Sequence, residues 1–477
     1  MTRSGWIRRL LTVPIVAALR TRPLLAVVAL ALLFLLSQED GVPVAEAHGL
    51  SGTSLVVQHS GKCMDVQWGS TADGAPIWQW PCNGSPAQQI DISDLGSGWH
   101  QLKFRNSGKC LDVWSGSHDP GAMLWQWPCN GSDAQKFTVP SGFGYTSQIK
   151  NKGSGLCVQV RGASTADQAL LEQAVCGSGS HQKWTSMPRY AHSWYISETG
   201  TAKPDATTMY NLGRSDGAFD NSKCANSLVV LNFGQPDAVG GNYGTNYWPS
   251  NEFISDAAIL NLVENYARGW YYGTGSCPRL KLVVGTNNYH QNPSGGTPYT
   301  AGGWWAAVVY ALQSYLSSTG FSSQITAWAG SDMEQPSGGE AWDCADRTRQ
   351  FVDGYNNDVL GTQDFLDYGT AWVPNSCWTA YDVYYVAYGA ARDFPLPEIY
   401  TGYATDSWVS VRTSYYMFFR GVMTECQQGD PLPFDYCTSP SDQFAPQKAW
   451  LDLWTELNAN GVGQSSLQYS TNITWEQ

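Results

Sequence analysis

The chain of 477 residues carries little charge, 14% Asp, Glu, Lys and Arg together, and only seven histidines. Beyond residue 190 the histidines are His192 and His290, so a Ser-His-Asp triad there has few bases to draw on. The nucleophile-elbow pattern G-x-S-x-G is missing as well. Neither C-x-x-C nor H-E-x-x-H occurs, and neither a P-loop nor G-x-G-x-x-G, so no metal and no cofactor are expected. Acids outnumber bases, giving a net charge of −13 and a pI near 4.9. That balance argues against nucleic acid and anionic membranes as partners.

What is present begins with an export pattern. Residues 1–22 hold five arginines and no acid, and Leu24–Leu36 is an unbroken apolar run of thirteen. This run is short for a bilayer span, and no other stretch is long and apolar enough for one. Ala45 and Ala47 form an A-x-A cleavage pattern, so 1–47 reads as a signal peptide and the mature chain as secreted from His48. An even count of twelve cysteines, all beyond this segment, then reads as disulfides. The 22 tryptophans and 25 tyrosines suit stacking on sugar rings, whose C–H faces are apolar.

Residues 51–187 contain an internal repeat. Gly61-Lys-Cys-Met-Asp-Val66, Gly108-Lys-Cys-Leu-Asp-Val113 and Gly155-Leu-Cys-Val-Gln-Val160 recur every 47 residues. Cys63, Cys110 and Cys157 are each followed nineteen positions later by Cys82, Cys129 and Cys176, which predicts one disulfide per unit. Gln88, Gln135 and Gln182 keep the same step. Short alternating segments with Gly, Ser and Asn between them indicate three β units in a closed threefold arrangement.

This block resembles the ricin B-type lectin family, a β-trefoil with Q-x-W repeats, over its whole length. The resemblance implies sugar sites pairing an aspartate with an aromatic two positions before the second cysteine: Asp65 with Trp80, and Asp112 with Trp127, with Gln88 and Gln135 as the repeat glutamines. A carboxylate accepts from vicinal hydroxyls while an indole stacks beneath the ring. The third unit has Gln159 and Ala174 at these positions and is expected to be structural. Ala87 and Ala134 stand where the family often has a sugar-binding asparagine, which leaves the preferred sugar open.

From Tyr190 to 477, short apolar strands alternate with amphipathic stretches, the pattern of an α/β domain. Expected strands are Ser193–Ser197, Ser227–Phe233, Leu280–Thr286, Ile325–Ser331, Phe365–Gly369, Val383–Tyr388, Glu398–Thr401 and Gly421–Glu425. Expected helices are Glu252–Tyr271, Gly303–Leu316, Ala341–Tyr355, Asp406–Tyr416 and Ala445–Leu457. Eight strands fit a TIM-type (β/α)8 barrel, although two connections look too short for full helices; an open doubly wound sheet is the competing arrangement. Position relative to the strands pairs Cys224 with Cys277, Cys344 with Cys377 and Cys426 with Cys437.

The stretch Trp328-Ala-Gly-Ser-Asp-Met-Glu-Gln335 closes one such strand. Strand alternation puts Asp332 and Glu334 on one face with Thr326, Trp328 and Gly330, and Ile325, Ala327, Ala329 and Met333 on the other. Two carboxylates at the C-terminal end of a strand stand where barrels build active sites. Other polar residues at strand ends are Glu198, Asn232, Asn287, Asn288, His290, Asp367 and Glu425, with Tyr289, Trp372, Tyr388 and Tyr400 near them.

Asp332-x-Glu334 is similar to the D-x-E of secreted bacterial barrel lysozymes and chitinase-like enzymes. The resemblance implies that Glu334 is the general acid and Asp332 its partner, with Glu425, Glu198 and Asp367 as further acidic candidates. Residues two apart on a strand bring their carboxyls toward about 5 Å, which favours retention or use of a substrate N-acetyl group over inversion. One pKa of so close a pair must rise, with Glu334 the expected member. The sequence therefore points to a secreted, monomeric, glycan-binding protein whose barrel hydrolyses glycosidic bonds, or else to a lectin with a non-catalytic barrel.

Overall fold

The computed structural model describes residues 50–197, 204–223, 226–276, 278–289, 296–336, 343–358, 363–373, 377–426 and 443–475. The expected signal segment lies outside them, as do Glu198, His290, Cys224, Cys277 and Cys437. Among the described residues no helix is long and apolar enough to cross a membrane.

Residues 50–186 form a β-trefoil. Cys63–Val66 pairs with Ile77–Trp80, Cys110–Val113 with Leu124–Trp127, and Cys157–Val160 with Leu171–Ala174, in equivalent antiparallel registers. Each unit is closed by its own disulfide, Cys63–Cys82, Cys110–Cys129 and Cys157–Cys176. The 47-residue step is a packing rule. Leu55, Leu102 and Ile149 are equivalent and fully buried, and so are Met64, Leu111 and Val158. Ile77, Leu124 and Leu171 form a further layer, and Ile90, Phe137 and Trp184 another. Each such side chain contributes roughly 1.5–3 kcal/mol by leaving water, so no unit could keep this core without the other two.

The second domain is an eight-stranded parallel barrel. Its elements are β1 (Tyr190–Tyr195), α1 (Ala206–Lys223), β2 (Ser227–Asn232), α2 (Asp256–Gly273), β3 (Leu280–Asn287), α3 (Pro298–Thr319), β4 (Ile325–Asp332), α4 (Ala345–Asn357), β5 (Phe365–Asp367), α5 (Ala380–Tyr388), β6 (Asp393–Pro395), α6 (Gly402–Ser414), β7 (Gly421–Thr424), α7 (Pro446–Ala459) and β8 (Tyr469–Trp475). The strands run β6-β5-β4-β3-β2-β1-β8-β7 around the sheet. The ring closes where Glu398 bridges Met423: the Ile399 N–H donates to the Met423 carbonyl and the Met423 N–H to that of Pro397, both at 2.8 Å. Closure rules out the open doubly wound sheet.

Strands β2, β3 and β4 are buried on both faces, which is why they read as nearly continuous apolar runs. Leu228, Val230, Val283, Trp328, Leu366 and Met423 fill the barrel interior. Val229, Leu231, Leu282, Val284, Ala327 and Ala329 pack outward under the helices. The trefoil and the barrel belong to one compact unit, Ala47–Gln477. Gly144, at φ 73°, lets its loop lie against the chain before β8, where Leu467 N–H donates to the Gly144 carbonyl at 3.0 Å. A Cβ on Gly144 would fall 2.1 Å from the Leu467 carbonyl oxygen.

Several expected elements are corrected. Val383–Tyr388 is helix α5, not a strand. Its Tyr and Val content suits strands, but Thr379 and Asp382 form a capping box, and Val383, Val386 and Ala387 bury one helical face. Glu398–Thr401 is not a strand either; the sixth strand is β6, and Glu398 follows it. The misplaced strands had made two connections look too short for helices. Strand β8 and helix α1 escaped notice. In α1, Gly213 and Gly217 weaken helix propensity but permit close packing on α2. A Cβ on either would lie 2.1 and 2.3 Å from the carbonyl oxygens of Tyr266 and Trp270.

Candidate functional site

Strand β4 places the two acids of the D-x-E motif. Ile325, Ala327, Ala329 and Met333 belong to the helix-packed core and Trp328 to the interior core, so Asp332 and Glu334 face the mouth of the barrel. Asp332 is buried, 6% exposed, and Glu334 is half-buried. The peptide of Glu334 is clamped by the fully buried Asn288. The Glu334 N–H donates to Asn288 Oδ1 at 2.9 Å, and Asn288 Nδ2 donates to the Glu334 carbonyl at 2.8 Å. The loops after β4 and β5 are stapled by Cys344–Cys377 and by Trp378 Nε1 donating to the Asp343 carbonyl at 3.1 Å.

A third carboxylate completes the cluster. One oxygen each from Asp332, Glu334 and Glu398 lies within 4.8 Å of the others. Reading Glu398 as the first residue of a strand had assigned it to the wrong end of the barrel. The signal was present: Glu398-x-Tyr400 repeats the i, i+2 spacing of Asp332-x-Glu334 just after the apolar Phe394-Pro-Leu396. The Tyr400 hydroxyl donates to Glu398 Oε1 at 2.5 Å. Tyr195, from the end of β1, hydrogen-bonds Tyr400 and lies against Trp475, with ring centroids 4.7 Å apart and the planes tilted by 31°.

Burial drives the electrostatics. Desolvation raises Asp332 well above the ordinary carboxylate range, and the charges of Glu334, Asp367 and Glu425 push it further. Glu398 is raised by burial, then by Asp332 and Glu334, against the opposing hydrogen bond from Tyr400. Asp367, which ends β5 and accepts from the Gly369 N–H at 3.0 Å, is raised chiefly by burial. Among the described residues Asp332 Oδ1, Asp367 Oδ2 and Glu398 Oε2 are buried without a hydrogen-bond partner. Burial and mutual repulsion therefore favour the protonated form of Asp332, Asp367 and Glu398. Tyr195, Tyr368 and Tyr400 are held protonated by burial and by these carboxylates, so their hydroxyls serve as donors. Asp332, Glu334 and Glu398 are close enough to share one cation, although no metal-binding motif marks them in the chain.

Other expected site residues are placed as follows. Glu425 follows β7, part-buried, and its charge acts on Asp332, Glu398 and Tyr195, so it shares the mouth. Trp372 follows β5 with 52% exposure. Asn232 serves its own turn, accepting from the Gly234 N–H at 2.7 Å. Tyr388 does not line the mouth. It ends α5 next to Phe394, at the N-terminal end of β6. A cavity of about 770 Å³ lies instead at the seam of the two domains, among Gln58, His59, Gln148, Thr455, Asn458 and Gln464, and has no carboxylate in its lining. The chemistry points to the barrel mouth.

In the trefoil, Asp65 and Asp112 are buried, 5% and 4% exposed, and sit opposite Trp78 and Trp125 in register. Trp78 Nε1 donates to Asp65 Oδ1 at 2.7 Å, and Trp125 Nε1 to Asp112 Oδ1 at 3.1 Å. These inner indoles stack on the expected platforms: Trp78 on Trp80 at 5.4 Å and Trp125 on Trp127 at 4.8 Å. Trp80 and Trp127 are the expected members of each pair; Trp78 and Trp125 are additional, and Trp78-Gln-Trp80 and Trp125-Gln-Trp127 carry both in the chain. Gln88 and Gln135 are fully buried. Gln135 Nε2 donates to Asp112 Oδ2 at 2.6 Å and to the Pro128 carbonyl at 3.0 Å, so it orients the aspartate from behind. In the third unit Glu172 replaces the inner tryptophan and accepts from Gln159 Nε2 at 2.8 Å and Arg161 Nε at 2.6 Å.

Comparison with known proteins bears on the first domain. Among solved structures, a designed threefold-symmetric protein, ThreeFoil, is 35% identical over 29% of this chain and 98% of its own, with a TM-score of 0.28. An exo-beta-1,3-galactanase from Clostridium thermocellum is 32% identical over 29% of this chain, with a TM-score of 0.28; the match spans 30% of the galactanase chain. The C-half of an earthworm R-type lectin, in complex with GalNAc, is 14% identical over 29% of this chain and 98% of its own, with a TM-score of 0.24. No curated protein matches the chain. The family model described as ricin-type beta-trefoil lectin domain matches residues 51–184, and that segment is a ricin B-type lectin domain.

Proposed function

We propose that this is a secreted, glycan-binding glycoside hydrolase, acting on a polysaccharide or cell-wall glycan by retention or with the help of a substrate N-acetyl group. The observation that carries the reading is the meeting of Asp332, Glu334 and Glu398 within 4.8 Å at the C-terminal mouth of the barrel. That spacing is nearer the roughly 5–5.5 Å of a retaining pair of carboxyls than the roughly 6.5–9.5 Å of an inverting pair. Glu334, the half-buried member, is the acid/base that protonates the leaving oxygen and later takes a proton from water. Asp332 shares a proton with it and keeps it poised. Glu398, held by Tyr400, faces the developing positive charge of the sugar or orients its N-acetyl group.

The lectin domain supports the glycan half of this reading. Asp65 with Trp78 and Trp80, and Asp112 with Trp125 and Trp127, are the two units built to bind sugar. A binding site tethered to the barrel raises the local concentration of substrate to about millimolar. The disulfides fit an oxidising, extracellular setting.

The test is reducing-end release from peptidoglycan, chitin, xylan and galactan by the protein, beside Glu334→Gln and Asp332→Asn. Release from one polymer that disappears in Glu334→Gln supports the assignment, and the anomer first released reports retention. Wild-type turnover by Glu334→Gln overturns the assigned acid. No release from any polymer, with pull-down that is lost on Asp65→Ala plus Asp112→Ala, leaves a lectin with a non-catalytic barrel.

A further inference from the structure

The three trefoil units share one backbone feature after the Asp/Gln strand, and they fill it very differently. Residues 68, 115 and 162 are the middle positions of three equivalent turns, and all three are left-handed: Trp68 at φ 56°, Ser115 at 52° and Gly162 at 64°. The turn is thus imposed by the fold and not by its occupant. Glycine accepts this conformation without penalty, whereas a bulky L-residue is a genuine outlier there. Trp68 is also 72% exposed. The first unit therefore bears both backbone strain and an exposed indole at a position where its sister unit manages with glycine. Left-handed residues of this kind also occur at Ser115 and Ala163, so it is the strain together with the exposed indole that sets Trp68 apart.

What Trp68 touches shows what it serves. Its ring centroid is 4.8 Å from that of Trp78, edge-on at 73°, and 6.4 Å from that of Trp80, tilted at 55°. It stands at the rim of the stacked pair that flanks Asp65 and adds a third aromatic wall. The second unit solves the same place otherwise. There Ser115 holds the strained position, and Trp114, one residue earlier, stands 6.2 Å from Trp125 with 49% exposure. The corresponding position in the first unit is Gln67, so the third indole enters the two units from different sides.

We propose that Trp68 forms an outer subsite of the first lectin unit, stacking on a second sugar ring of a chain whose first ring sits at Asp65, Trp78 and Trp80. The first unit then prefers oligosaccharides, and the two units are not interchangeable. This rests on the reading of the first unit as a glycan site. Stacking of one further ring is worth about five- to tenfold in affinity.

The experiment uses the full protein carrying Asp112→Ala, which silences the second unit, and Glu334→Gln, which stops cleavage at the barrel, with and without Trp68→Gly, the residue that the third unit already uses. Titration calorimetry compares tetraoses and monosaccharides of the chitin, xylan and galactan series. The expected result is a tetraose-to-monosaccharide affinity ratio of about five or more that collapses toward one in Trp68→Gly. The monosaccharide affinity and the far-UV spectrum stay unchanged, and the melting temperature does not fall. A ratio that survives Trp68→Gly overturns the proposal, as does a parallel loss of monosaccharide binding and stability, which would make Trp68 structural. Failure of all these sugars to bind the Asp112→Ala protein overturns the glycan reading of the first unit, and the proposal with it.

Discussion

Replacing Asp220 by Asn is predicted to stabilise the barrel at pH 8 and to leave it unchanged at pH 4. Asp220 lies on α1, 2% exposed, and accepts from Trp270 Nε1 at 2.8 Å. Burial raises its pKa from 3.8 to about 7, against hydrogen bonds from Trp270 and Ser227 and with a smaller push from Asp216. The folded state therefore holds a proton that the unfolded state releases. Below pH 3.8 both states are protonated and the group is neutral to stability. Between 3.8 and about 7 stability falls as pH rises, by up to about 1.4 kcal/mol per unit, and above 7 the loss is complete at about 4 kcal/mol. Asparagine cannot ionise and keeps an acceptor for the indole, so it mimics the protonated acid at every pH. The variant should gain about 4 kcal/mol over the parent at pH 8, near 10 °C in the melting temperature of a domain this size, and almost nothing at pH 4. Thermal melts from pH 4 to 8 read this directly. Parallel curves for parent and variant would refute the reasoning, because they would show that Asp220 titrates alike in both states.

Two further predictions concern the site and its support. Asn288→Ala should cut turnover by about tenfold or more while leaving lectin-domain pull-down intact, since Asn288 makes both hydrogen bonds to the Glu334 peptide; kcat and KM beside polymer retention check it. Gly217→Leu should lower the barrel melting transition by more than 10 °C, because a Cβ there already sits 2.3 Å from the Trp270 carbonyl oxygen and forces α1 off α2. Differential scanning calorimetry would show the shift in the barrel transition, with the trefoil transition unmoved.

The trefoil is legible in the chain alone. The 47-residue step already implies threefold layers, because residues that repeat at one interval in one role must meet around one axis. Ile90, Phe137 and Trp184 do so with no exposed surface. The faces of β4 are legible too, since strand alternation is local and Asp332 and Glu334 follow from it. The remainder depends on long-range packing. Glu398 joins the cluster only because β6 ends before it, and that depended on telling the capped helix α5 from a strand in a segment rich in Tyr and Val. Helix α1 looked unpromising because its glycines are penalties in isolation; they become close contacts once α2 lies against them. The lift in the Asp332 pKa is likewise a property of burial and of acids from β5 and β7, remote in sequence. Trp68 stands apart from both cases. Its type was plain in the chain, but only the backbone angle of its turn shows that the fold tolerates it at a cost. Local periodicity is written residue by residue; desolvation, ring closure and strain belong to the assembled chain.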